Sequence, residues 1–176
     1  MYDDGIKQYG INTSTMSLDY GSASNDACCD WGKTIDGGGT WSTLNSDEWT
    51  HLLNFRTVNG GTGEGKSYQR ATINNGAADV YGMILYPDGY ASGAKASYTS
   101  SEWATAESVG CVFLPAAGYR DGTSVSNVGS YGSCWSSSPS NSYNAYHPSF
   151  DSGSVGAAYN NHRNLGLSVR LVQSVK

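Results

Sequence analysis

Charge is scarce in this chain. Lysine and arginine number 10 and aspartate plus glutamate 15 in 176 residues, which is 14% charged and a formal net charge of -5. The few cations form no cluster, so the electrostatic footprint of a nucleic-acid binder is missing. No apolar run reaches the roughly 20 residues of a membrane span, and Met1 does not open a secretory signal pattern. Prolines number 4 and cysteines 4. The cysteines, Cys28, Cys29, Cys111 and Cys134, form no CxxC pair and no spaced Cys/His set, which removes the usual zinc patterns. Cys28 and Cys29 are adjacent, poor geometry for an ordinary disulfide, and four free thiols are expected. Cys111, in an apolar run, reads as a buried inert thiol. Between Ser108 and Val172 there is no Lys, Glu, Gln or Met.

Aromatic residues and glycine are plentiful. Five Trp and thirteen Tyr supply large buriable surfaces despite the low charge, so disorder is not implied. The 23 glycines are spread along the chain and predict many turns rather than long helices. The length fits one domain able to bury a core without metal or disulfide. Residues 1–25 read as an N-terminal arm or edge segment and 26–176 as the domain proper. Asp26 to Gly32 reads as a short helical turn ending at glycine, and Asp36 to Thr40 as a loop.

Two helix starts are marked. Asn45-Ser46-Asp47-Glu48 resembles a capping box with Asn45 as the cap, and Trp49, Leu52 and Leu53 follow on one face. Thr99-Ser100-Ser101-Glu102 is a closer match, followed by Trp103 and Ala106. Strands are predicted over Val80–Leu85, stopped by Pro87-Asp88-Gly89, and over Val112–Leu114, stopped by Pro115. Tyr131–Ser136 and Tyr143–Phe150 are further strand candidates. Leu167, Val169 and Leu171 alternate with Ser168 and Arg170, as a half-buried terminal strand does. Two short helices on a twisted, mainly antiparallel sheet with long loops make an α+β fold.

Ser133 to Leu167 is built mainly from Ser, Asn, Tyr, Gly, Ala and His. Tyrosine gives rigid amphipathic contact area, and Ser, Gly and Asn give adaptable hydrogen bonding. Loop paratopes use this mixture, although a solvated loop has a similar composition.

Four blocks carry a family resemblance. Trp41-Ser42-Thr43-Leu44-Asn45-Ser46-Asp47-Glu48-Trp49 resembles the helix opening of C-type-lectin-like domains of the formylglycine-generating-enzyme-like subgroup. Phe113-Leu114-Pro115-Ala116-Ala117-Gly118-Tyr119-Arg120 resembles the central strand block of that group. Tyr131 to Ser138 matches its "YWSS" block, with Cys134 in place of the usual aromatic, and Gly166 to Val172 its closing "G-x-S-V-R" strand. The Ser/Asn/Tyr-rich stretch between the last two blocks is similar to the variable region of proteins diversified by retroelements. In those systems adenines of Asn-type codons are randomised, and such codons cannot become Lys, Glu, Gln, Met or Trp. Ser133 to Leu167 obeys this restriction apart from Trp135, in the fixed block.

That resemblance implies a C-type-lectin-like scaffold displaying a variable ligand-binding region at about 133–167. The display positions it implies are Cys134, Ser140, Tyr143, His147, Ser149, Asp151, Gly156, Ala158, Tyr159, Asn160, His162, Asn164 and Leu165. They interleave with the scaffold positions Trp135, Tyr146, Phe150, Val155, Arg163 and Val169.

Catalytic and metal readings lack their parts. Calcium needs several oxygen ligands, and Ser133 to Leu167 holds one carboxylate, Asp151. Formylglycine-generating chemistry uses two nearby late cysteines, and only Cys134 follows Cys111. His51, His147 and His162 are isolated from any nucleophile motif, and Asp47-Glu48 serves a helix start. Arg120 and Arg170 lie in apolar blocks and read as structural guanidinium groups rather than an anion site. The five tryptophans read as core rather than as a sugar-stacking platform.

The expectation is therefore a binding domain, not an enzyme, with no cofactor and no metal. Its partner would be a protein or glycan receptor on another surface, met from a phage tail or a bacterial cell surface. The alternative is a non-diversified structural or adhesive module, and an enzyme of the formylglycine-generating type is a distant third.

Overall fold

The computed structural model describes residues 40–56, 67–141 and 143–173. The N-terminal arm, the Asp26–Gly32 turn with Cys28, Cys29 and Trp31, and nearly all of the 36–40 loop lie outside the described residues.

Among the described residues eleven strands and two α-helices follow in chain order. They are β1 (Trp41–Thr43), α1 (Ser46–Thr50), β2 (Tyr68–Asn74), β3 (Asp79–Leu85), β4 (Ser97–Tyr98), α2 (Ser100–Ser108) and β5 (Val112–Pro115). Then come β6 (Tyr119–Asp121), β7 (Ser124–Ser126), β8 (Gly132–Ser133), β9 (Asn144–Phe150), β10 (Val155–His162) and β11 (Leu171–Gln173). A π-helical turn, His51–Phe55, continues α1. The strands form sheets ordered β4-β2-β3-β5, β10-β9-β8, β1-β11 and β6-β7.

The α+β, C-type-lectin-like fold class is overturned: the protein is mostly β. Among the described residues 43% lie in strands and 15% are helical. Both capping boxes do form. Asn45 Oδ1 accepts from Glu48 N at 2.9 Å while Asn45 N donates to Glu48 Oε2 at 2.7 Å. Thr99 Oγ1 accepts from Glu102 N at 3.3 Å, and Thr99 N donates to Glu102 Oε2 at 2.8 Å. A cap starts a helix but does not set its length. With 5 and 9 residues, α1 and α2 are too short to make a layer. Nor do the described residues form one large sheet, because the Gly- and Ser-rich punctuation divides their β structure into four small ones.

The core is organised around β3. Met83 and Leu85 pack with Trp49, Leu53, Leu114 and Phe150, while Ile84 between them packs with Ile73, Tyr86, Tyr98, Ala106 and Cys111. Successive side chains of a strand point to opposite faces, so β3 is covered on both sides. That is why Met83-Ile84-Leu85 reads as a continuous apolar run. Gly82 belongs to the same design, since a Cβ there would strike the Phe113 ring and the Leu114 carbonyl. The predicted stop at Pro87-Asp88-Gly89 is a turn, with Tyr90 N donating to Pro87 O at 3.3 Å and Gly89 at φ +80.

Two expectations need correction. The terminal strand is regular only over Leu171–Gln173, paired with β1, whereas Ser168 makes a lone bridge to Cys134. Arg120 and Arg170 are exposed, not packed as buried structural guanidinium groups. That role belongs to Arg163, which is 1% exposed. Trp49 and Trp135 are fully buried, and Trp41 and Trp103 half-buried.

Candidate functional site

The β9–β10 hairpin carries most of the display positions, and a proline shapes it. Gly156 pairs with Ser149 and Tyr159 with His147, so Ala157 and Ala158 together face Pro148. Pro148 has no N–H to give the ladder, and the partner strand takes up the irregularity as a bulge. The bulge breaks the in–out alternation. Ala157 is buried, and the three consecutive residues Ala158, Tyr159 and Asn160 all face solvent. Tyr159 and Asn160 pair regularly with His147 and Tyr146 and so point to opposite faces, and on this edge strand both are exposed.

The thirteen display positions divide by burial. Tyr143 (63% exposed), Tyr159 (50%), Ala158, Asn160, His162 and Asn164 are exposed. Ser140, Asp151, Gly156 and Leu165 are half-buried. Cys134 (6%), His147 (2%) and Ser149 (7%) are buried, and their display assignment is corrected. Cys134 joins the main core, and burial pushes its thiol up to about 12, so it is inert. Cys111 is likewise buried and raised to about 11. Ser149 lies on β9 opposite Gly156 and β8, in the centre of its sheet.

His147 is part of an aromatic ladder from core to surface. Its ring makes an edge contact with Trp135 at 5.7 Å between centroids, and Tyr159 covers it from outside at 6.4 Å. Nδ1 lies 2.8 Å from Ser133 Oγ, whose hydroxyl donates to the Pro148 carbonyl at 3.0 Å. Burial holds the imidazole below the ordinary histidine value of 6.5, against a smaller upward pull from the Pro148 carbonyl. The folded state thus favours the neutral ring. Its contribution is fully present above pH 6.5 and is lost as pH falls below that value towards the depressed folded pKa. The melting temperature should therefore begin to fall below about pH 6.5, and a His147→Gln variant should lack that limb. An unchanged acid limb in the variant would exclude His147 as its source. Glu102, held at about 2 by Lys95 and the Thr99 cap, acts at lower pH.

Two further display residues have local structural work. Gly156 leaves room for Tyr159, whose ring lies where a Cβ would project. Asp151 Oδ1 accepts from Gly153 N at 2.7 Å and Ser154 N at 2.8 Å, which closes the β9–β10 turn and lowers its pKa. Among the described residues no group of three or more His, Cys, Asp or Glu side chains could hold a metal ion. No described helix is long and apolar enough to cross a membrane.

Arg163 anchors the exposed loop before β9. Its Nη2 donates to Asn141 O at 2.7 Å, its Nε to Asn144 O at 3.2 Å, and its backbone N to Tyr143 O at 2.9 Å. One buried guanidinium thus sets the loop that presents Tyr143.

Beyond the hairpin lies an open cleft of about 480 Å3. One wall carries Tyr119, Asp121 and Tyr131, and the other Asn161, His162, Asn164 and Leu165, with Leu167 between. Its base is a two-bond bridge: Arg120 N donates to Gly166 O and Gly166 N to Arg120 O, both at 2.8 Å. Alternation about that bridge puts Tyr119 and Asp121, and opposite them Leu165 and Leu167, on one face. Tyr119 and Tyr131 meet edge-on at 6.1 Å. The Tyr119–Tyr131 wall was missed in the sequence. The available signal was the alternation Tyr119-Arg120-Asp121 before the turn glycine Gly122, at φ +60.

The fold and cleft define a mostly β domain with an open polar-aromatic surface. A family profile described as a domain of unknown function (DUF8237) matches residues 90–172, a stretch that holds both cleft walls and the hairpin. No curated protein and no solved structure matches the chain.

Proposed function

We propose that this domain is a ligand-binding module whose recognition surface, centred on the β9–β10 hairpin and the turn after it, is diversified by a retroelement. It acts by binding rather than catalysis. Its partner is a protein or glycan receptor on another surface, and it works from a phage tail or a bacterial cell surface. The observation that carries this reading is the separation of roles within one short segment. Tyr143, Ala158, Tyr159, Asn160, His162 and Asn164 face outward, while Trp135, Ala145, Phe150, Ala157, Arg163 and Leu167 are buried among them. Outward residues of this kind can change with little cost to folding, whereas buried ones cannot. Two exposed tyrosines amid Asn, Ala and His supply rigid aromatic anchors with adaptable polar neighbours.

Sequencing the locus across isolates tests the reading. Substitutions should concentrate at the six outward codons and be nearly absent at the six buried ones. A reverse-transcriptase gene with a near-repeat of the 133–167 coding segment should lie nearby. Variation spread evenly along the gene would leave a structural or adhesive module without a diversified site.

A further inference from the structure

We propose that the cleft between β6 and the turn after β10 receives a cationic side chain, a lysine or arginine of a protein ligand. The inference rests on the reading of this face as a recognition surface and assigns the chemistry of one subsite in it.

The first observation is charge. Among the described residues Asp121 is the only carboxylate lining the cleft, and no lysine or arginine lines it. Arg120 is next to Asp121 in sequence, but strand alternation directs its side chain to the opposite face. The net charge of -5 adds a field of the same sign. The second observation is the state of the polar groups. Among the described residues no hydrogen bond or ion pair engages the Asp121 carboxylate or the hydroxyls of Tyr119 and Tyr131. A second pocket, of about 230 Å3 beside α2, is different. Its charged pair is already satisfied internally, Lys95 Nζ to Glu102 Oε1 at 2.8 Å. The third observation is shape. Two tyrosine rings set edge-on beside an acid, with Leu165 and Leu167 opposite, offer a π face, an anionic end and apolar contact for an aliphatic stem. A long cation with a methylene stem matches all three, whereas a neutral polar ligand leaves the carboxylate unpaired.

The test uses the full 176-residue chain and small probes followed by NMR. Nα-acetyl-lysine N-methylamide and its arginine counterpart should give saturable shifts at Asp121, Leu165 and Gly166, half-saturating at roughly millimolar concentration. The norleucine amide, which keeps a four-carbon aliphatic stem but lacks the ammonium, should give none. Asp121→Asn should weaken the lysine probe about threefold to fivefold without changing the melting temperature, since that carboxylate has no partner in the fold. Asn164→Asp, which adds a carboxylate to the facing wall, should tighten it by a similar factor. Equal shifts from norleucine amide, an undiminished response in Asp121→Asn, or shifts from methyl glycosides instead of the cationic amides would overturn the assignment. The two readings fail separately. If the probe fails while substitutions still cluster on the hairpin, only the cation assignment falls. If the probe binds while substitutions spread evenly, the cation site stands and the diversification does not.

Discussion

Replacing Arg163 with methionine should cost about 3 kcal/mol or more of folding stability, the largest side-chain effect expected in the hairpin region. The guanidinium is 1% exposed and donates to the carbonyls of Asn141 and Asn144. Methionine fills much of the volume but leaves both acceptors without those donors. A hydrogen bond from a charged donor is worth roughly 1.5–3 kcal/mol, so two of them outweigh the gain from not burying a charge. Arg163→Lys should recover little, because one ammonium on a flexible stem cannot serve two carbonyls from a planar fork. Urea unfolding measures the loss, and hydrogen exchange locates it. The Arg163 amide, which donates to Tyr143 O, should exchange faster in both variants. A methionine variant within 1 kcal/mol of the parent (roughly the worth of one neutral hydrogen bond) would mean the guanidinium is not the anchor of this loop.

Gly118→Ala is the second large effect, at about 3 kcal/mol or more. Gly118 has φ +70, a left-handed conformation costing an L-residue roughly 1–2 kcal/mol. The larger part is steric. A Cβ there would run into the Ser126 carbonyl oxygen and lie 2.8 Å from Val128 N, which is backbone that no rotamer change can clear. The same point is clasped by Gly118 N donating to Tyr131 O and Gly129 N to Ala116 O, each at 2.7 Å. Pushing those strands apart should also open the Tyr119–Tyr131 wall, so the variant should lose the response to the lysine probe. Gly129→Ala is the matched control. Its φ is +80, yet nothing lies within 4 Å of the added methyl, so only the conformational cost applies. The Gly118 variant should melt roughly 6–12 °C below the parent and the Gly129 variant only a few degrees. Equal losses would remove the steric argument.

The contrast between the arginines shows how far residue patterns carry. Arg120 and Arg170 looked structural because apolar residues flank them in sequence. Arg120 lies on β6, where flanking residues face the other way, Arg170 lies just before β11, and both are exposed. Arg163 sits in the polar run Asn160-Asn161-His162-Arg163-Asn164, where nothing local marks burial, although the retroelement resemblance did place it in the scaffold. Cys134, His147 and Ser149 carry the converse lesson. The retroelement resemblance grouped them with the display residues, yet Cys134 joins the main core, and His147 and Ser149 are buried on β9, the middle strand of its sheet.

Local signals determined the local features of this protein. Capping boxes at Asn45 and Thr99 start helices, Pro87-Asp88-Gly89 ends a strand, and the run Met83-Ile84-Leu85 marks a strand buried on both faces. Each follows from hydrogen bonds or steric limits within a few residues, and those act wherever the sequence occurs. Only the tertiary structure decided the fold class and the site. Helix length depends on packing rather than on caps, and two good caps gave helices too short to form a layer. The outward run Ala158-Tyr159-Asn160 exists because β10 bulges opposite Pro148 and then continues as an edge strand open on both faces, and the cleft exists because Arg120 pairs with Gly166. Strand register joins residues far apart in sequence, and a shift of one residue reverses which side chains face solvent.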